Sequence, residues 1–94
     1  SERKLVFEQD SYNLTAAPGE SGLGQLRLQS TSPSKGVVFG ISEGVHDGII
    51  QINNRTGELR YIGEIEKEDQ EFELKIHAST FNSFAIVPVH ILIK

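Results

Sequence analysis

The 94-residue sequence contains no cysteine, no methionine and no tryptophan. The disulfides that staple many small secreted domains, and thiolate metal sites, are therefore excluded. Acidic residues outnumber basic ones, and the formal net charge is -4. Nucleic acids and anionic membranes are bound by clustered Lys and Arg, so we expect no nucleic-acid partner and no direct membrane contact. The longest mostly apolar run, Phe84 to Ile93, is too short to span a bilayer, and no signal-peptide pattern opens the chain.

Apolar residues recur with a period of two, which is typical of strands with one buried face. The clearest case is residues 71–78, where Phe72, Leu74, Ile76 and Ala78 alternate with Glu71, Glu73, Lys75 and His77. Shorter runs repeat the pattern around Leu26 and Leu28, over 37–41, over 50–52 and over 59–61. Glu58, Glu71 and Glu73 are predicted to be outward strand positions.

Turn-forming segments separate these runs at 17–22, 30–36, 43–48, 53–57 and 80–83. With the opening residues 4–16, about seven short strands follow one another at regular spacing, and no window favours an amphipathic helix. The pattern predicts an all-β fold, a seven-stranded antiparallel Greek-key β-sandwich. We expect residues 1–94 to form a single domain excised from a larger extracellular multi-repeat protein.

The final predicted strand is apolar on both faces. Val87, Val89, Ile91 and Ile93 are expected to face the core, which leaves Phe84, Ile86 and Leu92 on the other side. Pro88 cannot donate to a strand ladder and indicates an edge position or a bulge. The outer residues are either covered by neighbouring strands and loops or form a contact surface for an adjacent domain or partner.

In its second half the chain resembles an extracellular cadherin repeat. That family pattern places a Thr-Gly turn after an apolar strand, then Leu-Asp-Arg-Glu, then a strand that ends in Ala-x-Asp. Here Thr56-Gly57 matches the turn, residues 65–68 stand in the Leu-Asp-Arg-Glu position, and Phe72 to Ala78 match the strand. Residues 37–41 fit the family's Val-x-Tyr-x-Ile strand, and Phe7 with Tyr12 fits its opening Phe-x4-Tyr.

The resemblance implies calcium at the junctions between repeats, because a hard cation takes six to eight oxygens and carboxylates from several loops supply them. The aspartates that the family uses at the N-terminal end of a repeat align here with Ser30, Ser32 and Thr80. Neutral hydroxyls cannot balance the charge of the ion. The N-terminal junction is therefore expected to be calcium-free.

At the opposite end, Glu66 and Glu68 occupy the two acidic positions of Leu-Asp-Arg-Glu. Two carboxylates two residues apart in a loop can reach one cation, so this pair is either a residual calcium site at the C-terminal junction or a solvated surface beside Lys67. The family's glutamate near Ala17 or Pro18 is missing, and Glu20 is displaced from that position. We expect no cofactor in the isolated domain and no calcium affinity tighter than about millimolar.

Asn13-Leu14-Thr15 and Asn54-Arg55-Thr56 fit the N-glycosylation motif. Asn54 is expected to lie in an accessible turn, where it also has a purely structural reading as a turn former, and Asn13 in a strand that hinders it. Other sites are weaker. His46, His77 and His90 are too dispersed for a zinc motif, and no nucleophile elbow or phosphate-binding loop is present, so we expect no enzyme.

From the resemblance we expect a non-catalytic adhesion or spacer module, extracellular and part of a membrane-anchored protein. Its partners would be neighbouring cadherin repeats and a protein on another or the same cell. Two alternatives stay open. One is a cadherin-like or immunoglobulin-like binding module of a receptor or matrix protein without cell–cell adhesion. The other is an accessory domain of a carbohydrate-active enzyme, which aromatic residues along one face would favour.

Overall fold

Seven β-strands make up the fold in a computed structural model, which describes residues 4–33, 35–44, 49–62 and 70–94. Within those ranges there is no helix, and so none that is long and apolar enough to cross a membrane. In chain order the strands are β1 (Tyr12–Ala16), β2 (Gly22–Gln25), β3 (Val38–Glu43), β4 (Ile50–Ile52), β5 (Glu58–Tyr61), β6 (Gln70–Ser79) and β7 (Phe84–Ile93).

The strands form two sheets, one of four strands in the order β1-β7-β6-β3 and one of three in the order β2-β5-β4. The four-stranded sheet is built on the β6–β7 hairpin, whose pairing is continuous from Gln70 opposite Ile93 to Ser79 opposite Phe84. Two sheets with shared buried faces confirm the predicted all-β sandwich.

One pairing departs from the expected antiparallel arrangement. β1 runs parallel to β7, with Tyr12 opposite Val89 and Ala16 opposite Ile93. The other strand pairs are antiparallel. Period-two alternation reports which face of a strand is buried and carries no information on the direction of its partner. The parallel pair could therefore not be read from the residue pattern.

The core lies between the two sheets, and the alternation of β6 and β7 delivers side chains to it as predicted. Phe72 is half-buried at the edge of that core rather than within it. The inward side chains of the hairpin are Leu74, Ile76, Ala78, Val87, Val89, Ile91 and Ile93, each no more than 3% exposed. On the outer face Glu71 and Glu73 are exposed, and so is Glu58 on β5, as predicted.

β2 begins earlier than the sequence pattern indicated. It spans Gly22–Gln25, so its first residue lies in the turn predicted at 17–22 and its last residue precedes the predicted apolar residues Leu26 and Leu28. Leu26 is 1% exposed and belongs to the core. Leu28 is half-buried and makes an isolated antiparallel bridge with Phe7. The chain thus keeps an extended course beyond β2, where it pairs with the entry segment instead of β5.

The predicted Thr-Gly turn joins β4 to β5 and depends on glycine. Gly57 has φ 79°, in the left-handed region that disfavours a side chain. A Cβ at this position would lie 3.1 Å from the carbonyl oxygen of Leu26 and 3.3 Å from the Phe39 ring. The side chain of Asn53 caps the turn, because its Oδ1 accepts the backbone N–H of Arg55 at 2.9 Å and of Thr56 at 3.0 Å.

Replacing Gly57 by alanine should lower the free energy of unfolding by about 2 kcal/mol, from the left-handed backbone and the crowded Cβ together. Chemical denaturation of the two proteins measures the difference. Gly22→Ala is the matched control, because a Cβ there meets nothing within 4 Å, and it should change stability by less than about 0.5 kcal/mol. Equal losses for the two variants would contradict this account of the turn.

Candidate functional site

The chain enters the fold at what we call the N-terminal pole, formed by Leu5, Val6, Ser30, Ser32 and the β6–β7 turn, residues 80–83. The backbone N–H of Leu5 donates to Ser83 Oγ at 3.1 Å. The hydroxyl of Ser32 accepts the N–H of Val6 at 3.0 Å and donates to the carbonyl oxygen of Val6 at 3.1 Å. Serine hydroxyls from two separate loops therefore hold the entry segment.

The three positions predicted to face the N-terminal junction have different environments. Ser32 is 6% exposed, and its hydroxyl is committed to the backbone of Val6. Thr80 is half-buried, and its hydroxyl donates to Asn82 Oδ1 at 3.2 Å within the β6–β7 turn. Ser30 is exposed beside a shallow concavity that Glu8 also lines. Glu8 was not among the positions that the family pattern singled out.

These residues do not fit a calcium ion. Calcium takes six to eight oxygens, several of them charged, whereas Ser30, Ser32 and Thr80 offer neutral hydroxyls, two of which already have partners within the fold. Glu8 adds a carboxylate to the concavity at Ser30, which is far from the charge that such a site requires. The described residues hold no group of three or more His, Asp or Glu side chains placed to share a metal ion.

The opposite end of the sandwich is described in part. Glu66 and Glu68 lie outside the described residues, so their role as calcium ligands stays a prediction. Glu20 is exposed at the end of a tight turn, where its N–H donates to the carbonyl oxygen of Ala17 at 3.1 Å. The N–H of Lys94 donates to the carbonyl oxygen of Ala16 at 3.0 Å. Glu20 thus lies four residues after the end of β1, the strand whose last residue, Ala16, is hydrogen-bonded to Lys94.

A second candidate site lies on the outer face of the four-stranded sheet. Val38, Phe84 and Ile86, which we call the apolar patch, are 50%, 60% and 50% exposed. Val38 and Phe84 are both paired with Ser79, and Ile86 is paired with His77. The patch is therefore contiguous across β3, β6 and β7.

His77 fills the middle of the apolar patch. Its ring stacks on Phe84 with centroids 5.5 Å apart and an interplanar angle of 19°, and its Nδ1 is 2.7 Å from Ser42 Oγ. A Cβ on Gly40 would lie 2.6 Å from the imidazole. The absence of a side chain on Gly40 thus lets the His77 ring lie across β3.

Leu92, the third predicted interface residue, is not part of the patch. It is half-buried and lies opposite Glu71 and Thr15, at the other end of β7 from Phe84. The histidines are also separated. His77 pairs with Ile86 and His90 with Glu73, so the two rings differ by four positions along the hairpin, roughly 13 Å at the usual rise of a strand.

Both predicted glycosylation sites are exposed. Asn54 lies in the β4–β5 turn, as expected. Asn13 lies in β1, where hindrance was expected, but β1 is the edge strand of its sheet and Asn13 points outward. Thr15 is exposed as well. Neither acceptor needs the fold to open to carry a glycan.

No protein-family model matches the sequence, and no curated protein matches it significantly. Solved structures do. Protocadherin gammaB7, in a cis-dimer structure of its repeats EC3-6, superposes with a TM-score of 0.81 at 17% identity over 99% of this chain. The human desmocollin-1 ectodomain gives 0.78 at 16% identity over 97%, and Drosophila N-cadherin EC1-4 gives 0.74 at 14% over 98%.

The chain has the fold of an extracellular cadherin repeat. It spans 26%, 20% and 26% of those three cadherin structures. At these identities the likeness establishes the cadherin fold and leaves the calcium positions to be judged from this chain's own residues.

Replacing Ser32 by alanine should destabilise the fold by about 1–3 kcal/mol, because it leaves the part-buried N–H of Val6 without its acceptor. It also removes one of the two hydrogen bonds to the Val6 carbonyl, which still accepts the N–H of Gln29 at 2.8 Å. Ser30→Ala is the matched control in the same loop, and its exposed side chain should matter by less than about 0.5 kcal/mol. Thermal or urea unfolding measures both. If the Ser32 variant is as stable as the Ser30 variant, the hydrogen bonds between Ser32 and Val6 do not contribute to the free energy of unfolding.

Calcium should barely stabilise the isolated chain. With an affinity no tighter than about 1 mM, adding about 1 mM calcium contributes under about 0.4 kcal/mol, or roughly 3 °C in Tm for a domain of this size. Differential scanning calorimetry in calcium and in excess chelator tests this, with magnesium as the matched cation. A substantially larger shift with calcium alone would contradict the prediction.

Proposed function

We propose that this chain is a non-catalytic module of an extracellular, membrane-anchored cadherin-type protein, which spaces neighbouring repeats and contributes to adhesion. The observation that carries the proposal is the N-terminal pole. Its entry segment is held by Ser32 and Ser83. The three aligned positions that would face the preceding repeat, Ser30, Ser32 and Thr80, are uncharged. The junction with that repeat is calcium-free and therefore lacks the ionic cross-links that stiffen a calcium-filled junction.

Phe81 supports an apolar contact in place of the ions. It is 99% exposed at the tip of the β6–β7 turn, next to Thr80. The same turn holds Leu5 through Ser83, so a preceding repeat would emerge beside it. A tethered neighbour is present at an effective concentration of about millimolar, and burial of one aromatic ring is then enough to bias its position.

The junction can be tested with this chain joined to the repeat that precedes it. The spread of interdomain distances, measured by double electron–electron resonance, should be the same in calcium and in excess chelator. Phe81→Ala should broaden the distribution in both conditions. Ile62→Ala is the matched control, since Ile62 is also exposed, at 44%, but follows β5 and lies away from the β6–β7 turn. A distribution that narrows strongly with calcium would refute the calcium-free junction.

The apolar patch is the surface we assign to a protein partner. Val38, Phe84 and Ile86 expose apolar area around a stacked imidazole, and the centres of protein interfaces are similarly poor in charge and rich in aromatic residues. Leu92 would contribute at most from the edge of such a contact, because it is half-buried at the far end of β7.

Substituting Ser for both Phe84 and Ile86 should abolish or sharply reduce aggregation of beads that carry the full ectodomain, since apolar and aromatic anchors dominate binding energy. Glu71→Ser with Glu73→Ser, on the charged half of the same face, is the control and should leave aggregation intact. Circular dichroism must show both variants folded. Aggregation that survives loss of the patch would remove it from the adhesive contact.

The same surface also favours the second candidate function, a ligand-binding module of a receptor or matrix protein without cell–cell adhesion. Capture of a cell-surface ligand by a protein that fails to aggregate beads would favour this candidate. The accessory domain of a carbohydrate-active enzyme has less support. Of the aromatic residues, Phe7, Tyr12, Phe39 and Tyr61 are buried, and the two exposed ones, Phe81 and Phe84, lie on the β6–β7 turn and at the start of β7 rather than in a row along one face.

A further inference from the structure

A groove crosses the outer face of the four-stranded sheet on the charged half, away from Phe84. Its volume is about 420 Å³, and it extends from β1 at one edge to the end of β3 at the other. Three inter-strand spacings give a length of roughly 14 Å, and volumes of about 300–1,000 Å³ are usual for small-ligand sites. The outward side chains that line it include Asn13, Glu43, Glu73, Lys75, Pro88 and His90.

One wall of this groove is a glycosylation acceptor. Asn13 is exposed on the edge strand and lies opposite His90 in the parallel β1–β7 pair. Thr15, the hydroxyl residue of its motif, is exposed on the same face, opposite Leu92. A sugar attached to the Asn13 amide would start at the end of the groove, with His90 as its nearest neighbour on β7.

The lining has the chemistry that binds sugars. A pyranose ring has an apolar C–H face and a rim of hydroxyls, so it is held by flat nonpolar surfaces and by charged or polar groups that accept and donate hydrogen bonds. Pro88 and His90 supply rigid rings, and Glu73 supplies a carboxylate. Lys75 and Glu43 are an ion pair at 3.2 Å whose side chains are 54% and 67% exposed, which leaves polar atoms of both within reach of a ligand.

We propose that Asn13 carries an N-linked glycan whose proximal N-acetylglucosamine residues lie in this groove. The inference rests on the extracellular setting of the proposed function. Because the glycan is covalently attached, it needs little intrinsic affinity; its effective concentration at the groove is about millimolar or higher. The bound glycan covers the charged half of the outer face and leaves the apolar patch as its open surface.

Asn54 provides an internal comparison. It is exposed in the turn between β4 and β5, which belong to the other sheet, and the side chain of Asn53 caps that turn from within. A glycan on Asn54 would therefore start outside this groove. The two glycans of one molecule differ in whether this groove can hold them, while the attachment chemistry is the same.

The test is secretion of this chain from a glycosylating eukaryotic host, with occupancy of each acceptor measured by glycopeptide mass spectrometry. The native protein is then treated with an amidase that releases N-glycans. Release from Asn13 should be at least about tenfold slower than from Asn54, because the groove-bound linkage is protected until it leaves the surface. After denaturation the two rates should converge. Thr15→Ala should remove the Asn13 glycan alone.

Variants of the groove identify the contact. His90→Ala with Lys75→Ala should speed native release from Asn13 several-fold and leave release from Asn54 unchanged. The unfolding transition of the double variant serves as a check that the fold persists. Phe84→Ala, on the apolar patch, is the control on the same face and should change neither rate.

Two outcomes would overturn the inference. One is an unoccupied Asn13 in a protein that is secreted and folded; the other is equal native release from Asn13 and Asn54. Neither outcome bears on the proposed adhesive or spacer function. That function is tested by interdomain distances in the two-repeat protein and by aggregation of beads that carry the full ectodomain. Conversely, the Asn13 glycan could prove to be protected in a chain whose N-terminal junction requires calcium. That result would support this inference and contradict the calcium-free junction.

Discussion

The hydroxyl of Ser32 organises the N-terminal pole, because it accepts a hydrogen bond from the backbone N–H of Val6 and donates one to the carbonyl oxygen of Val6. One buried side chain thereby satisfies the Val6 N–H, which would otherwise lose its hydrogen bond to water on folding, and adds a second hydrogen bond to the Val6 carbonyl, which also accepts the N–H of Gln29. An aspartate at this position could accept the N–H of Val6, but an ionised carboxylate could not donate to the carbonyl. A neutral hydroxyl at position 32 therefore suits an N-terminal pole in which the entry segment is held by hydrogen bonds within the chain.

Aromatic packing supports the same entry segment from below. Phe7 is buried between Tyr12, at a centroid distance of 6.5 Å in an edge-to-face arrangement, and Phe39, at 6.4 Å. The hydroxyl of Tyr12 donates to the carbonyl oxygen of Arg27 at 3.2 Å. The segment before β1 thus contacts both sheets, which is how the chain can pair with the β2 side at Phe7 and with β7 from Tyr12 onwards.

The outer face of the four-stranded sheet combines two unlike halves because side chains on one face follow every second residue of each strand. On β7 the outward series begins with Phe84 and Ile86 and continues through Pro88 to His90. On β6 the same levels begin with Ser79 and His77 and continue to the charged Lys75 and Glu73. The centres of protein interfaces are depleted of charged residues, so the apolar half of this hairpin is the one that we propose as a contact surface.

Sequence reasoning succeeded where burial alone decides the structure. The alternation over 71–78 and over 87–93 predicted two strands and most of their inward residues. The turn-forming residues at 53–57 predicted the turn in which Gly57 has a positive φ. It failed where long-range pairing decides. The parallel β1–β7 pair and the early start of β2 depend on which strands meet, and no local pattern encodes that.

The candidate site shows the same division. Uncharged residues at Ser30, Ser32 and Thr80 were visible in the sequence, but the engagement of Ser32 with Val6, and the place of Phe81 beside the entering chain, required the fold. Phe84 and Ile86 were expected to point outward, and both are exposed. Leu92 lies on the same face of β7, at an even number of residues from them, but it is half-buried. The alternation along a strand predicts which face a residue lies on, whereas its exposure depends on the neighbouring strands and loops.

Amide hydrogen exchange at Val6 tests the central claim most directly, since its N–H donates to Ser32 Oγ. The protection factor of that amide should be the same in excess chelator and in calcium. It should fall in Ser32→Ala, with no recovery when calcium is added. Protection that appears only when calcium is present would contradict the account, because the pole would then be ordered by an ion rather than by its own hydroxyls.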